Sequence, residues 1–199
     1  MNYKSVCIVG VDGTGKTSTV EMLSSSLGAE RTVVQYMGAR QWETPMAKKY
    51  VENNSAHGML NTIRWLYAYI HEMYYRANKY RNEKKLVIFD RYAYEHVVSR
   101  EQLDLGWKGN LVLAILRFFL VEMFPKPNLT FYLICPIDIS IKRKADITSQ
   151  DEVDALKNDK RILDSLYIGK QDVEVIDTNI NSQSEVLEIM KRIIDSKLH

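Results

Sequence analysis

Gly10-Val11-Asp12-Gly13-Thr14-Gly15-Lys16-Thr17 satisfies G-x-x-x-x-G-K-[ST] at every fixed position, and no other stretch narrows the possible folds as far. Such a loop must turn sharply enough for successive backbone N–H groups to converge on one point. Glycine permits the turn, and the helix that follows adds the positive end of its dipole. The ligand suited to that cradle is a phosphate. Lys16 would reach the outer phosphates and Thr17 would hold Mg²⁺. The flanks agree with a binding loop rather than a bare Gly-rich turn. Val6-Cys7-Ile8-Val9 is an apolar run for a buried strand, and Thr17 to Leu23 continue as an amphipathic helix that closes near Gly28. The candidate nucleotide-binding residues are Gly10, Asp12, Gly13, Thr14, Gly15, Lys16, Thr17 and Ser18.

Strand and helix signals then alternate to the end of the chain. Arg31 to Tyr36 is β-branched and bounded by Gly28 and Gly38, so it reads as a second strand. Its carboxyl end leads into a loop, Tyr36 to Glu43, expected beside the phosphates, with Arg40 as a candidate anion ligand. Thr44-Pro45 reads as an N-cap with proline at the first helical position. From Gly58 to about Asn82, Met59, Ile63, Leu66, Ile70 and Met73 recur at helical spacing. That helix also carries Trp65, Tyr67, Tyr69, Tyr74, Tyr75 and Tyr80, more rings than one buried stripe needs, so one or two are assigned to a flat ligand. Lys79 to Lys85 reads as its solvated end. A third buried strand, Leu86 to Phe89, ends in Asp90-Arg91-Tyr92. There the carboxylate can orient Mg²⁺ or accept a proton, and the guanidinium can clamp a phosphate, a reading favoured over a simple strand-end ion pair by the phosphate loop.

Leu111 to Phe124 is strongly apolar, but it is too short for a bilayer and contains Arg117 and Glu122, so it is expected to be a core helix with enough apolar surface for a homodimer interface. Leu129 to Cys135 is a fourth strand, followed by a short helix opening near Asp138. The run from about Lys142 to Asp151, basic at first and polar afterwards, has the composition of a mobile lid over phosphates. A helix from about Glu152 to Tyr167, a strand at Val173 to Ile176 and a helix from about Ser184 to Lys197 complete the chain. At 199 residues the length predicts one domain, 1–199. A net charge of +2 is too small to imply a nucleic-acid partner. Cys7 and Cys135 lie in apolar runs and read as reduced thiols, and no signal-like apolar segment precedes the first strand; a cytoplasmic enzyme without a membrane span is expected.

Five strands separated by helices predict an α/β domain of the P-loop class, a parallel sheet with helices on both faces in three layers. The sequence lacks Asn/Thr-Lys-x-Asp, and beyond the loop it lacks Asp-x-x-Gly, which argues against a switch GTPase. Small size, a basic segment and Asp90-Arg91-Tyr92 favour a kinase acting on a small acceptor. A kinase of a nucleoside or other metabolite, and a nucleotide-binding module with lapsed catalysis, remain open at this stage.

The loop, Asp90-Arg91-Tyr92 at the third strand, the basic segment after the fourth and Ile176-Asp177-Thr178 before the last helix together resemble the thymidylate kinase family over nearly the whole chain. The resemblance implies sheet order 2-3-1-4-5 and phosphorylation of a deoxynucleoside monophosphate, dTMP first among them, with ATP and Mg²⁺. It implies that Asp12 contacts the acceptor's sugar or its magnesium and that Arg91 and Arg40 hold the acceptor phosphate, beside the metal roles already read for Thr17 and Asp90. Arg143 becomes the lid arginine, and Asn179 to Ser182 lie near the adenine. The implied catalytic set is Lys16, Asp12, Asp90, Arg91 and Arg143. The chain also departs from the family pattern. Where a thymine-reading arginine is usual it offers Tyr69 or His71, it has Gly38 to Trp42 in place of Arg-Glu-Pro, it reads Ala93 to Ser99 after the Asp-Arg-Tyr, and Ile147 replaces a second lid arginine.

Overall fold

The structure, a computed structural model, describes residues 4–39, 41–52, 59–93, 123–144 and 147–198, together with positions 107, 110, 111, 114, 115 and 118. Five short strands form one sheet: β1 (Ser5–Val9), β2 (Thr32–Tyr36), β3 (Leu86–Asp90), β4 (Leu129–Ile134) and β5 (Val173–Asp177). The order is β2-β3-β1-β4-β5 and every neighbouring pair is parallel. This is the P-loop kinase arrangement expected from the sequence. Parallel neighbours cannot be joined by tight turns, so helices fill the crossovers. These are α1 (Lys16–Leu27), α2 (Pro45–Ala47, continued by a π-turn at Lys48–Glu52), α3 (Met59–Asn78), α4 (Ile137–Arg143) and α5 (Gln150–Tyr167), and α6 (Gln183–Leu198) follows the last strand. The described positions between 107 and 118 are also helical.

β1 is buried at every residue, and it shows no polar alternation because helices cover both faces of the sheet. One face is closed by α1 and α6: Val6, Ile8, Ile88, Phe131 and Leu133 meet Val20 and Leu23 of α1 and Val186, Met190 and Ile194 of α6. Each such side chain contributes about 1.5–3 kcal/mol on burial, against about 1 kcal/mol for a typical helix cap, so packing sets the layer positions. On the other face the Tyr132 and Tyr167 rings lie 5.3 Å apart, and the Tyr132 hydroxyl donates to Asp164 at 2.7 Å. The register places Ile8 opposite both Asp90 and Phe131, and Tyr36 opposite Asp90, so β1, β2 and β3 finish at one edge.

Element ends follow local chemistry. α5 opens two residues before the expected Glu152, because Ser149 and Glu152 form a reciprocal capping box. α3 stops at Asn78 rather than Asn82, and Asn78 turns its side-chain amide back onto the Tyr74 carbonyl at 2.8 Å. Lys79 is not a free solvated end; it pairs with Glu43 at 2.6 Å.

The chain divides into two compact units. The first comprises 1–36, 82–92 and 127–199 and holds the sheet with α1, α4, α5 and α6. The second comprises 37–81 and 93–126, and in it Trp65, Leu66, Ala68, Tyr69, Met73 and Ala77 form the buried side of α3. Among the described residues no helix is long and apolar enough to cross a membrane.

Candidate active site

The phosphate loop leaves β1 at Gly10 and is held by close backbone contacts. A Cβ at Gly10 would lie 2.5 Å from the Leu133 carbonyl oxygen, and one at Gly13 would lie 2.5 Å from the Ser140 carbonyl oxygen. Both positions therefore demand glycine, and Gly13 also has a φ of 85°. Gly15 is the N-cap of α1 in the left-handed region and supplies no side-chain cap, leaving the orphan N–H groups of the first turn for an anion. Lys16 is 4% exposed; its ammonium donates to the Val11 carbonyl at 2.8 Å and lies 3.6 Å from Asp12 Oδ1. Thr14 Oγ1 donates to the same carbonyl at 2.8 Å. Thr17 and Ser18 are exposed at the start of α1.

β3 delivers Asp90 and Arg91 to the same edge. Asp90 is 7% exposed, and its Oδ1 has no hydrogen-bond partner. Burial pushes this carboxyl above its ordinary value, against the charges of Arg91 and Lys16 and with help from Glu21. Arg91 has a φ of 69°, rare for a residue with a Cβ and costing about 1–3 kcal/mol. Its backbone N–H still donates to Ile8 at 3.0 Å, while its guanidinium reaches Asp12 Oδ1 at 3.2 Å. The strained turn thus carries the guanidinium from the strand onto the loop.

The third contribution comes from the end of α4. Arg143 gives two hydrogen bonds to Thr178, to Oγ1 at 3.1 Å and to the carbonyl at 2.9 Å. The next residue, Lys144, donates to Asp12 Oδ2 at 2.5 Å. Asp12 therefore faces three cations. Burial works against its ionisation, but the Lys144 hydrogen bond and the charges of Lys16, Arg91 and Lys144 prevail and hold it far below the usual carboxylate range. Asp159, on α5, is the reverse case: burial first and the Asp12 charge second push it up to about 6, with Lys16 opposing. Lys144 and Asp159 are additions to the candidates read from sequence. Lys144 belongs to the run Lys142-Arg143-Lys144, where three consecutive cations give no sign of which one meets the loop. Asp159 interrupts the apolar line between Leu156 and Leu163 at spacings of three and four, the signal by which it could have been found.

In the second unit, a buried ion pair on α3 organises the stretch after β2. Glu72 is 0% and Arg76 1% exposed, and Arg76 Nε meets Glu72 Oε1 at 2.7 Å. The Glu72 carboxylate accepts the backbone N–H groups of Glu43 at 2.7 Å and Thr44 at 2.8 Å. Arg76 donates to the Gly38 carbonyl at 3.0 Å and to that of Gln41, and lies 5.7 Å from the Trp42 ring. Arg40 itself lies outside the described residues, as do 145 and 146 of the expected lid and most of 94–122. The expectation that Tyr69 offers ring and hydroxyl to a ligand meets another arrangement. Tyr69 is 0% exposed, stacks on Trp65 at 5.3 Å and donates its hydroxyl proton to the Ala93 carbonyl at 2.5 Å. His71, Tyr67, Tyr74 and Tyr75 are exposed. Helical periodicity put Tyr69 on the packed side of α3, where its ring is worth most buried.

Among the described residues no group of three or more His, Cys, Asp and Glu could hold a metal. Asp90 Oδ1, buried and unpartnered, and the exposed Thr17 hydroxyl suit an ion that takes few protein ligands and completes its shell with water and nucleotide phosphates.

A sequence profile of the thymidylate kinase family matches residues 8–191. Comparison with curated protein sequences gave no match. Among solved structures, thymidylate kinase from Candida albicans superposes with a TM-score of 0.71 at 18% identity, covering 98% of this chain and 92% of that one. Deoxyadenosine kinase from M. mycoides gives a TM-score of 0.61 at 16% identity with products dCMP and dCDP bound, covering 97% of this chain and 100% of that one. The same enzyme with dATP gives 0.62 at 15%, with 96% and 99% covered. At these identities the structural likeness speaks for the fold, and the profile speaks for the lineage. A match over nearly the whole chain places this protein in the thymidylate kinase family, as a phosphotransferase of the nucleoside monophosphate kinase type.

Proposed function

We propose that the protein transfers the γ-phosphoryl group of ATP, with Mg²⁺, to a deoxynucleoside monophosphate, and that dTMP is its acceptor. The observation that carries this reading is Arg91, whose left-handed backbone aims a guanidinium from the end of β3 at the Asp12 carboxylate of the phosphate loop. An acceptor phosphate entering there would meet a two-pronged donor next to the donor phosphates. Lys16 and the α1 N-terminus grip the donor, Arg91 aligns the acceptor phosphate, with Arg40 the second candidate named by the sequence, and Asp12 faces the acceptor's sugar. Thr17 and Asp90 would hold Mg²⁺, which supplies charge neutralisation when bound. An acceptor phosphate oxygen attacks the γ-phosphorus, the bond to the β,γ-bridging oxygen breaks, and ADP leaves with the electron pair. The acceptor is already ionised at neutral pH, so positioning and electrostatics carry the rate.

Cys7 and Cys135, both buried and not joined in a disulfide among the described residues, support a reducing, cytoplasmic setting. Leu111, Ile115 and Phe118 are exposed at spacings of four and three on one helical face, which supports a homodimer.

The test is a coupled assay with Mg-ATP and a panel of deoxynucleoside monophosphates and the corresponding nucleosides. Formation of dTDP from dTMP is expected, and Lys16→Ala should lower turnover by about 10²-fold or more. Phosphorylation of a nucleoside but of no monophosphate would replace this reading with a nucleoside kinase. ATP binding without transfer to any acceptor would replace it with a nucleotide-binding module.

A further inference from the structure

We infer that Lys144 is the cation that neutralises the transferring phosphoryl group, and that Arg143 is the anchor that aims it. This rests on the kinase reading above. The residue types alone point the other way, since an arginine would usually take this part. The geometry divides the two neighbours. Each outer nitrogen of Arg143 gives one hydrogen bond to Thr178, and the Thr178 backbone N–H is itself bound to the Ile134 carbonyl at the end of β4 at 2.9 Å. The Arg143 guanidinium thus ties the end of α4 to the loop after β5. Lys144 leaves α4 as its C-cap, with its N–H on the Ile141 carbonyl, and its ammonium lies over the phosphate loop at 2.5 Å from Asp12 Oδ2.

Three anchors fix that position. Gly13 abuts the Ser140 backbone so closely that no Cβ fits, Arg143 holds Thr178, and Ser140 Oγ lies 2.8 Å from Cys135 Sγ just past β4. The Lys144 ammonium is therefore delivered to the loop with α4 where it stands. There it already binds an anionic oxygen, and Lys16 lies 3.6 Å from the other oxygen of the same carboxylate. As the γ-phosphoryl moves to the acceptor, negative charge gathers on its peripheral oxygens. A lysine ammonium beside Asp12 can give them a hydrogen bond while keeping its proton; no other bond to Lys144 forms or breaks. Lysine has this use because it acts as a compact point charge with rotatable donors, whereas arginine's fixed fork suits the planar hold on Thr178.

Two measurements on the full-length protein test this. In the kinetic one, Lys144→Met should lower kcat by about 10²-fold with both KM values within about threefold, Lys144→Arg should recover much of the loss, and Arg143→Met should cost less in kcat than Lys144→Met. Lys144→Met with unchanged kcat, or a loss confined to KM and melting temperature, overturns the inference. The second needs no acceptor. Lysine acetylation followed by mass spectrometry is run on Asp12→Asn with and without Mg-ATP, with exposed Lys142 as the internal reference. Loss of the carboxylate should make Lys144 more reactive, and Mg-ATP should protect it again while Lys142 stays reactive. No protection by saturating Mg-ATP overturns the inference even if the acceptor proves to be a nucleoside. Protection together with an inactive panel overturns only the monophosphate reading.

Discussion

Asp12 and Asp159 titrate in opposite directions within one electrostatic neighbourhood, and each side chain has a measurable signature. Asp12 lies below its ordinary value, so its contribution to stability is present above the unfolded value of 3.8 and is lost as pH falls towards the folded one. Asp159 lies above, at about 6, so its contribution is complete below 3.8 and is lost as pH rises through about 6. Asp159→Asn is therefore expected to gain stability relative to the parent protein at pH 7.5 compared with pH 4.5. Urea unfolding at the two values checks this, and an equal effect at both would remove the charge from the explanation. At this scale Lys16, Asp12, Asp90 and Arg91 were legible in the sequence, because spacing along one loop and one strand end fixes them. Lys144 and Asp159 were not, since each meets the loop only through the turn after α4 or the packing of α5. Tyr69 was legible as part of the buried stripe, and its abundance of aromatic neighbours drew the reading towards a ligand.

Among the elements, α3 acts as a clamp on the stretch that follows β2. Burial works against ionisation of Glu72, but hydrogen bonds from the Thr44 side chain and from the backbone N–H groups of Glu43 and Thr44, with the Arg76 charge, hold its carboxyl below the ordinary value. Arg76 returns two hydrogen bonds to carbonyls of the same stretch. Removing one partner strands the other charge in the interior. Glu72→Ala should cost about 3–5 kcal/mol in urea unfolding, with Glu72→Gln milder because it keeps one acceptor and the shape. Near-neutral Glu72→Ala would show that water reaches Arg76. The sequence announced α3 through its 3.6-residue period. It could not announce the clamp, because Glu72 and Arg76 at spacing four resemble any solvated helix pair until tertiary structure buries them.

At the scale of the molecule, the sheet was the most legible feature, as five apolar or β-branched runs each followed by a helix admit few topologies. Its order came from family resemblance, since periodicity does not say which strands are neighbours. The exposed Leu111, Ile115 and Phe118 row bears on assembly. Phe118→Glu is expected to turn a dimer into a monomer in sedimentation velocity, and an unchanged species at equal concentration would place any interface elsewhere. Gly13 has a reach beyond its own loop. Its missing side chain sets the gap between the phosphate loop and Ser140 of α4, so it works as a spacer calibrated to one hydrogen atom. Widening that spacer by a methyl group would carry the end of α4 outward and defocus a cation that residue 13 never touches. Anyone re-engineering this enzyme for another acceptor should therefore treat positions 13, 140 and 144 as a single mechanical adjustment.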